Sequence, residues 1–322
     1  MGVKGLSKFI RENIPNAIKK RKLSDLKNSV VAIDTNYYIY KYTISTKDFI
    51  KKFASQYLHL VSFGIKPLYV FDGKPPSEKQ RVIEKRKQVN IKKNIEITNN
   101  SIKTLKKFFK EHEIPYLECI SEADFICSQL SRHGVIRGCI SDDMDFLTLG
   151  CNYLYRDYYQ YSDEIMEYSL DKILNEFTSS QLIDISIFLG CDYCERVQDN
   201  VNRCHNINVY TLFKTYNTLD AVWNHLYTSE MLIFVDEEKF KTIISQWPKA
   251  REILRNDNNF CYEDMTNKIE ALSKQLQEEN YKIYNIKEYI NDGKIITKRC
   301  DKKPEEKSIT NQFRNNMFAV LL

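Results

Sequence analysis

The chain has little glycine: 9 residues in 322, with none between Gly190 and Gly293. Tight left-handed turns and close backbone approaches are therefore scarce in that stretch. No apolar run approaches the length of a membrane span, and no apolar core follows the first residues, so neither a spanning helix nor a secretory leader is expected. The opening "MGVKGL" has Leu6 where a myristoylation signal needs Ser or Thr. The nine cysteines are odd in number and scattered. That excludes a regular disulfide framework and points to reduced thiols inside a cell. A net charge of only +5 names no partner by itself.

What is present is a globular composition, 43% hydrophobic and 12% aromatic, in a chain long enough for one large or two small domains. Charge is unevenly spread. Between Lys79 and Lys110 there are eleven Lys or Arg against two acids, Glu84 and Glu96, so this segment carries +9 and the remainder about −4. A concentrated basic segment is a usual footprint of nucleic-acid binding, although a solvated pair of charged helices has the same pattern.

Short apolar runs alternate with helical patterns over the first two hundred residues, which predicts an α/β fold with a mainly parallel central sheet flanked by helices. Strands are expected at 30–34, 66–72, 114–119, 137–141 and 152–158, and the segment 207–290 reads mostly helical. Asp34 and Asp72 end the first two strands. Glu122 and Asp124 open the helix after the third, with Ser121 as the expected N-cap. Asp143 and Asp145 follow the fourth, in "GCISDDMDFLTLG". In a mainly parallel sheet these turns share the carboxyl edge, where such folds place their sites. Helix capping explains any one of these acids. It is a poor joint explanation of all of them, because clustered carboxylates repel and need a counter-charge. Oxygen-only ligands favour magnesium or manganese over zinc.

The segments "MGVKGL", "VAIDTNYYIY", "GIKPLYVFDGKPP", "IPYLECISEAD", "SDDMDFLTLG" and "IFLGCDYC" resemble, in order and spacing, the motifs of flap endonucleases and the wider XPG-type family of structure-specific 5′ nucleases. The resemblance covers residues 1–195 and implies a PIN-like core. It implies one group of metal-site acids at Asp34, Asp72, Glu122 and Asp124, and a second at Asp143, Asp145 and Asp192, with Asp142 flanking. It also implies two Mg2+ ions, for which Mn2+ can substitute, with Asp34, Asp72 and Asp143 central to catalysis. Lys79 and Arg86 match the basic pair above the scissile phosphate, and Tyr40 matches a stacking tyrosine. Gly2 matches an N-terminal residue near the DNA.

The domains expected are a nuclease core at 1–195, a basic helical arch at about 74–112, a helical DNA-binding region at 196–290 and a tail at 291–322. The fifty positions from Asp72 to Glu122 make the arch short, and Asp124 stands where flap endonucleases usually have Glu, a feature more like the exonuclease branch. The DNA-gripping turn after "DYC" lacks glycine, so a longer polar loop is expected there, with Arg203 contacting duplex backbone. Cys191, Cys194, Cys204 and His205 raise a zinc reading, but their spacing is irregular and adjacent Cys-His chelates poorly. "AIDTN" excludes the Asp-x-Asp of aspartyl phosphatases. The expected function is cleavage of DNA at flaps, nicks, gaps or ends. The alternatives are mainly 5′→3′ exonuclease action and non-catalytic junction binding. The expected partner is branched, nicked or 5′-ended DNA, with no membrane. "QFRNNMFA" does not make a sliding-clamp motif. A monomer is expected, intracellular, nuclear if from a eukaryotic cell and cytoplasmic if viral.

Overall fold

The computed structural model describes residues 2–255 except 47, 93–98, 198–200, 205–207, 230–231 and 235–236. The tail expected at 291–322 and the end of the helical region expected at 196–290 lie outside these residues.

Nine strands are described: β1 (Ile18–Lys22), β2 (Val30–Asp34), β3 (Lys66–Phe71), β4 (Tyr116–Glu118), β5 (Gly138–Ile140), β6 (Tyr153–Arg156), β7 (Glu164–Ser169), β8 (Val201–Cys204) and β9 (Leu232–Phe234). The helices are α1 (Leu6–Asn13), α2 (Thr35–Ser45), α3 (Phe49–Ser62), α4 (Gln80–Lys92), α5 (Asn99–Glu111), α6 (Ala123–Arg132), α7 (Asp145–Thr148), α8 (Leu170–Leu174), α9 (Ser179–Leu189), α10 (Val209–Tyr216), α11 (Leu219–Thr228) and α12 (Glu237–Arg255).

Seven strands form one sheet in the order β1-β7-β6-β5-β2-β3-β4. The five from β6 to β4 in that order run parallel, as expected, but β7 pairs antiparallel with β6, and β1 antiparallel with β7. The chain leaves β2 toward β3 on one side and later returns to β5 on the other. That reversal opens a crevice at the carboxyl ends of β2, β3 and β5.

The central strands are buried on both faces, which is why they read as continuous apolar runs. Side chains alternate between two cores. Val30 and Ala32 of β2, with Leu68 and Val70 of β3, join the core that holds α1, α6 and α9. Val31, Ile33, Tyr69 and Phe71 face α3 and α5, against Phe53 and Phe109. Local chemistry sets the helix starts. Asp34 caps α2 by accepting from Tyr37 N, Asp48 caps α3, and Thr178 with Gln181 forms a capping box on α9.

Two expectations are corrected. The N-cap of α6 is Glu122, not Ser121, and no side chain of its own caps it; the α6 N-terminus is satisfied from across the crevice instead. The polar loop expected after "DYC" contains β8, which pairs antiparallel with β9. Beyond it α10 and α11 pack on α9, and Arg251 of α12 reaches the buried Asp184 of α9 at 2.6 Å. Phe213, Leu219, Val222 and Trp247 thus share one core with Leu6 and Ile10.

Candidate active site

Each acid reaches the crevice on a different element. Asp34, the last residue of β2, accepts from Tyr37 N at 3.1 Å and from Ser141 Oγ at 2.8 Å. Asp72, one residue past β3, accepts from Ala123 N at the start of α6 at 2.8 Å and from Asn36 Nδ2 at 2.7 Å. Glu122 accepts from the Tyr193 hydroxyl at 3.0 Å, and Asp143 accepts from Asp145 N at 3.0 Å. Asp145 opens α7, is 1% exposed, and neither of its carboxylate oxygens has a hydrogen-bond partner among the described residues. Asp192 comes from the turn after α9, which is closed by paired backbone hydrogen bonds between Cys191 and Cys194.

Crowding and burial leave a common electrostatic mark. Desolvation, then the neighbouring Asp72, pushes the Asp34 carboxyl up to about 7. Desolvation likewise raises Glu122 and Asp143, and raises Asp124 and Asp145 well above the usual carboxylate range. The site therefore has an unmet demand for positive charge.

Two cations partly meet it. Lys79, only 6% exposed, sits in the turn before α4 and places Nζ 2.7 Å from Glu122 and 3.3 Å from Asp192. Burial alone would lower its pKa, but Asp124, Glu122 and Asp192 hold it well above the ordinary value. Arg86, two turns along, donates to both oxygens of Asp192 at 3.0 and 2.8 Å. Among the described residues no three Asp, Glu, His or Cys side chains close into a ready-made metal cage. The lysine and arginine share the carboxylates instead.

Asp34, Asp72, Glu122, Asp124, Asp143, Lys79 and Arg86 line a cavity of about 440 Å³ together with Tyr40, Tyr37 and Asn36. Asp142 stands apart from it. Burial works against its ionised form, but the Tyr37 hydroxyl, Asp157 N, Lys41 and Arg156 together hold its pKa below the usual value. The N-terminal segment closes the other side. Gly2 has φ of +72°, and a Cβ there would lie 1.8 Å from Asp143 Oδ1 and 2.6 Å from Asp145 Oδ1. Only glycine fits that approach.

The structure thus brings together Asp34, Asp72, Glu122, Asp124, Asp143, Asp145, Asp192, Lys79, Arg86, Tyr40 and Gly2. Arg203 lies in β8, and His205 of the zinc reading lies outside the described residues. Sequence reasoning missed Tyr193 and Asn36. Adjacency to Asp192 and a position two residues past Asp34 were the only signals available.

A doubly wound sheet with an acid-lined crevice at its switch point, and cations lodged among the acids, defines a nuclease core of the PIN-like class. Family comparison narrows this. Residues 1–93 match the model of the XPG N-terminal domain and residues 113–192 that of the XPG I-region, together more than half of the chain. The chain belongs to the flap endonuclease and XPG-type nuclease family, whose members depend on divalent metal. Flap endonuclease 1 of Entamoeba dispar is 29% identical, over 99% of this chain and 91% of the relative. That of Theileria parva is 28% identical, over 93% and 72%. Among solved structures, the catalytic core of Rad2 in complex with DNA substrate aligns with a TM-score of 0.61 at 18% identity, covering 90% of this chain and 98% of that one. Flap endonuclease-1 from Methanococcus jannaschii aligns at 0.54 and 19%, covering 85% and 98%. No helix among the described residues is long and apolar enough to cross a membrane.

Proposed function

We infer that this chain is a structure-specific, divalent-metal-dependent 5′ nuclease that hydrolyses DNA phosphodiesters at flaps, nicks, gaps or ends. The observation that carries the reading is Asp145: a buried carboxylate with both oxygens unpartnered among the described residues, beside Asp34, Glu122, Asp124 and Asp143, whose pKa values burial pushes up. A neutralising hydrogen-bond network would have satisfied it, whereas a hard cation takes bare carboxylate oxygens.

Asp34, Asp72, Glu122 and Asp124 would hold one Mg2+, and Asp143, Asp145 and Asp192 a second, with Mn2+ able to replace either. When bound, the ions supply Lewis acidity for the attacking water and the departing oxygen. The chain's own residues do the rest. Lys79 and Arg86 stand at the acids and can balance charge building on the phosphoryl oxygens. Tyr40 on the cavity wall suits stacking against an unpaired base. Gly2 keeps the N-terminal segment flush with the second acid group, near the DNA. Arg203 contacts duplex backbone without reading sequence. A water oxygen bonds to phosphorus, the P–O3′ bond breaks, and the products are a 3′-hydroxyl and a 5′-phosphate.

Residues 1–195 would form the nuclease core, 74–112 a short basic arch, 196–290 the duplex-binding region and 291–322 a tail, acting as a monomer within the cell. The short arch and Asp124 favour a second emphasis, 5′→3′ exonuclease action at nicks and ends. Labelled flap, nicked, blunt and RNA substrates with Mg2+ test the whole reading. Cleavage of flap and nicked DNA near the junction supports it. Tight binding with no cleavage of any substrate would make the chain a junction-binding protein. Blocking a flap's 5′ end with bulky protein separates the two emphases, since threading requires a free end.

A further inference from the structure

In sequence, Asn36 does no more than exclude an Asp-x-Asp pattern. In the structure it bridges the first acid group. Its side chain lines the cavity with Asp34, Asp72, Glu122 and Asp124. Nδ2 donates to Asp72 Oδ2 at 2.7 Å, while Asp72 Oδ1 is held by Ala123 N at 2.8 Å. Because a carboxylate only accepts, this contact fixes which end of the amide faces Asp72. The other end, Oδ1, is buried and has no hydrogen-bond partner among the described residues. An orphaned buried amide oxygen costs free energy unless something meets it.

We propose that Asn36 is a positioning residue for the divalent ions, its amide nitrogen fixing Asp72 and its amide oxygen offering a neutral acceptor to an ion's bound water. The inference rests on the metal-site reading above and deepens it. Hard cations that keep part of their hydration shell need acceptors around them as well as charged ligands. Losing a partner that orients a ligand typically costs about 10- to 100-fold in metal affinity. The residue type follows. Aspartate at this position would set a second carboxylate against Asp72 at hydrogen-bonding range, and repulsion would replace the 2.7 Å contact. Serine is shorter, and its single oxygen would have to donate to Asp72 and accept from the water at one point, where the amide separates the two roles.

The test is binding of Mn2+ alone to the full chain without DNA, read from the electron paramagnetic resonance signal of the free ion. Asn36→Leu keeps the branched arrangement of side-chain heavy atoms and removes both polar ones. Its Mn2+ affinity should fall about 10- to 100-fold, the scale for losing such a partner, with the circular dichroism spectrum unchanged. Affinity within twofold of the parent overturns the proposal. Asp72→Ala separates failures. If that variant also binds Mn2+ normally, the metal-site reading itself is wrong; if Asp72→Ala weakens binding and Asn36→Leu does not, only the role of Asn36 is wrong. Should Asn36→Leu not fold, Asn36→Asp decides. It should lower the unfolding midpoint without ions and recover it with Mn2+, and an unchanged ion-free midpoint overturns the proposal.

Discussion

Replacing Lys79 by Met removes the cation at the centre of the acid group while keeping an unbranched side chain in its place. Lys79 is 6% exposed, and its Nζ lies 2.7 Å from Glu122 and 3.3 Å from Asp192. Breaking one side of a buried ion pair costs about 3–5 kcal/mol, because the other charge is left uncompensated. The lower end applies here. Glu122 keeps the Tyr193 hydroxyl, and Asp192 keeps both contacts from Arg86. Urea unfolding in EDTA should therefore show Lys79→Met destabilised by about 3 kcal/mol. With saturating Mn2+ the ions supply the missing charge, and most of that loss should vanish. Single-turnover cleavage at saturating enzyme should nevertheless be slower by about 100- to 1,000-fold, the scale for losing one preorganised electrostatic contact. Equal destabilisation with and without Mn2+, together with an unchanged cleavage rate, would refute the reasoning on both counts.

Asp143→Ala or Asp72→Ala should abolish Mg2+-dependent cleavage and leave flap-DNA affinity within a few-fold by gel shift; cleavage retained in both would sink the two-ion reading. Gly2→Ala should lower the cleavage rate at least tenfold without unfolding the protein, because its Cβ would fall 1.8 Å from Asp143 Oδ1 at a backbone angle of +72°; a normal rate would mean that the N-terminal segment does not matter to the site. The raised Asp34 pKa carries a pH signature. An acid whose folded pKa exceeds its unfolded value binds more protons when folded, so stability falls as pH rises from about 4 to about 7, and Mn2+ should abolish that fall at pH 7. Urea midpoints that are flat over that range would count against the desolvated acid cluster. Arg251→Met should cost about 3 kcal/mol in calorimetric or urea unfolding, since it strips the buried Asp184 of its cationic partner, leaving it Leu219 N, and loosens α12 from α9; a cost under 1 kcal/mol would show that apolar packing around Trp247 holds α12 in place.

The sequence by itself determined the strand ends and their acids. Residues 30–33 and 67–71 are apolar throughout because both sheet faces are covered, so the aspartates that follow them, Asp34 and Asp72, could be assigned to one edge from pattern alone. The resemblance of its motifs to those of the family then implied the seven acids, Lys79, Arg86, Tyr40 and Gly2 together. What only the tertiary structure decided is which partner each group meets. Strand β1, "IKKRK", has no apolar alternation, and it is a strand only because its backbone pairs with β7. The β8–β9 pair likewise joins strands about thirty residues apart, with α10 and α11 between them. Neither Asp142 nor Asp143 differs in local pattern, yet Asp142 turns to Tyr37 and the Asp157 backbone while Asp143 faces the cavity. The start of α6 is satisfied by Asp72, fifty-one residues upstream of Ala123, and not by the adjacent Ser121. Local pattern encodes periodicity and burial. Hydrogen bonds and ion pairs between distant elements form only once the sheet has fixed their distances, so Lys79 among the carboxylates and Asn36 on Asp72 became legible only in three dimensions.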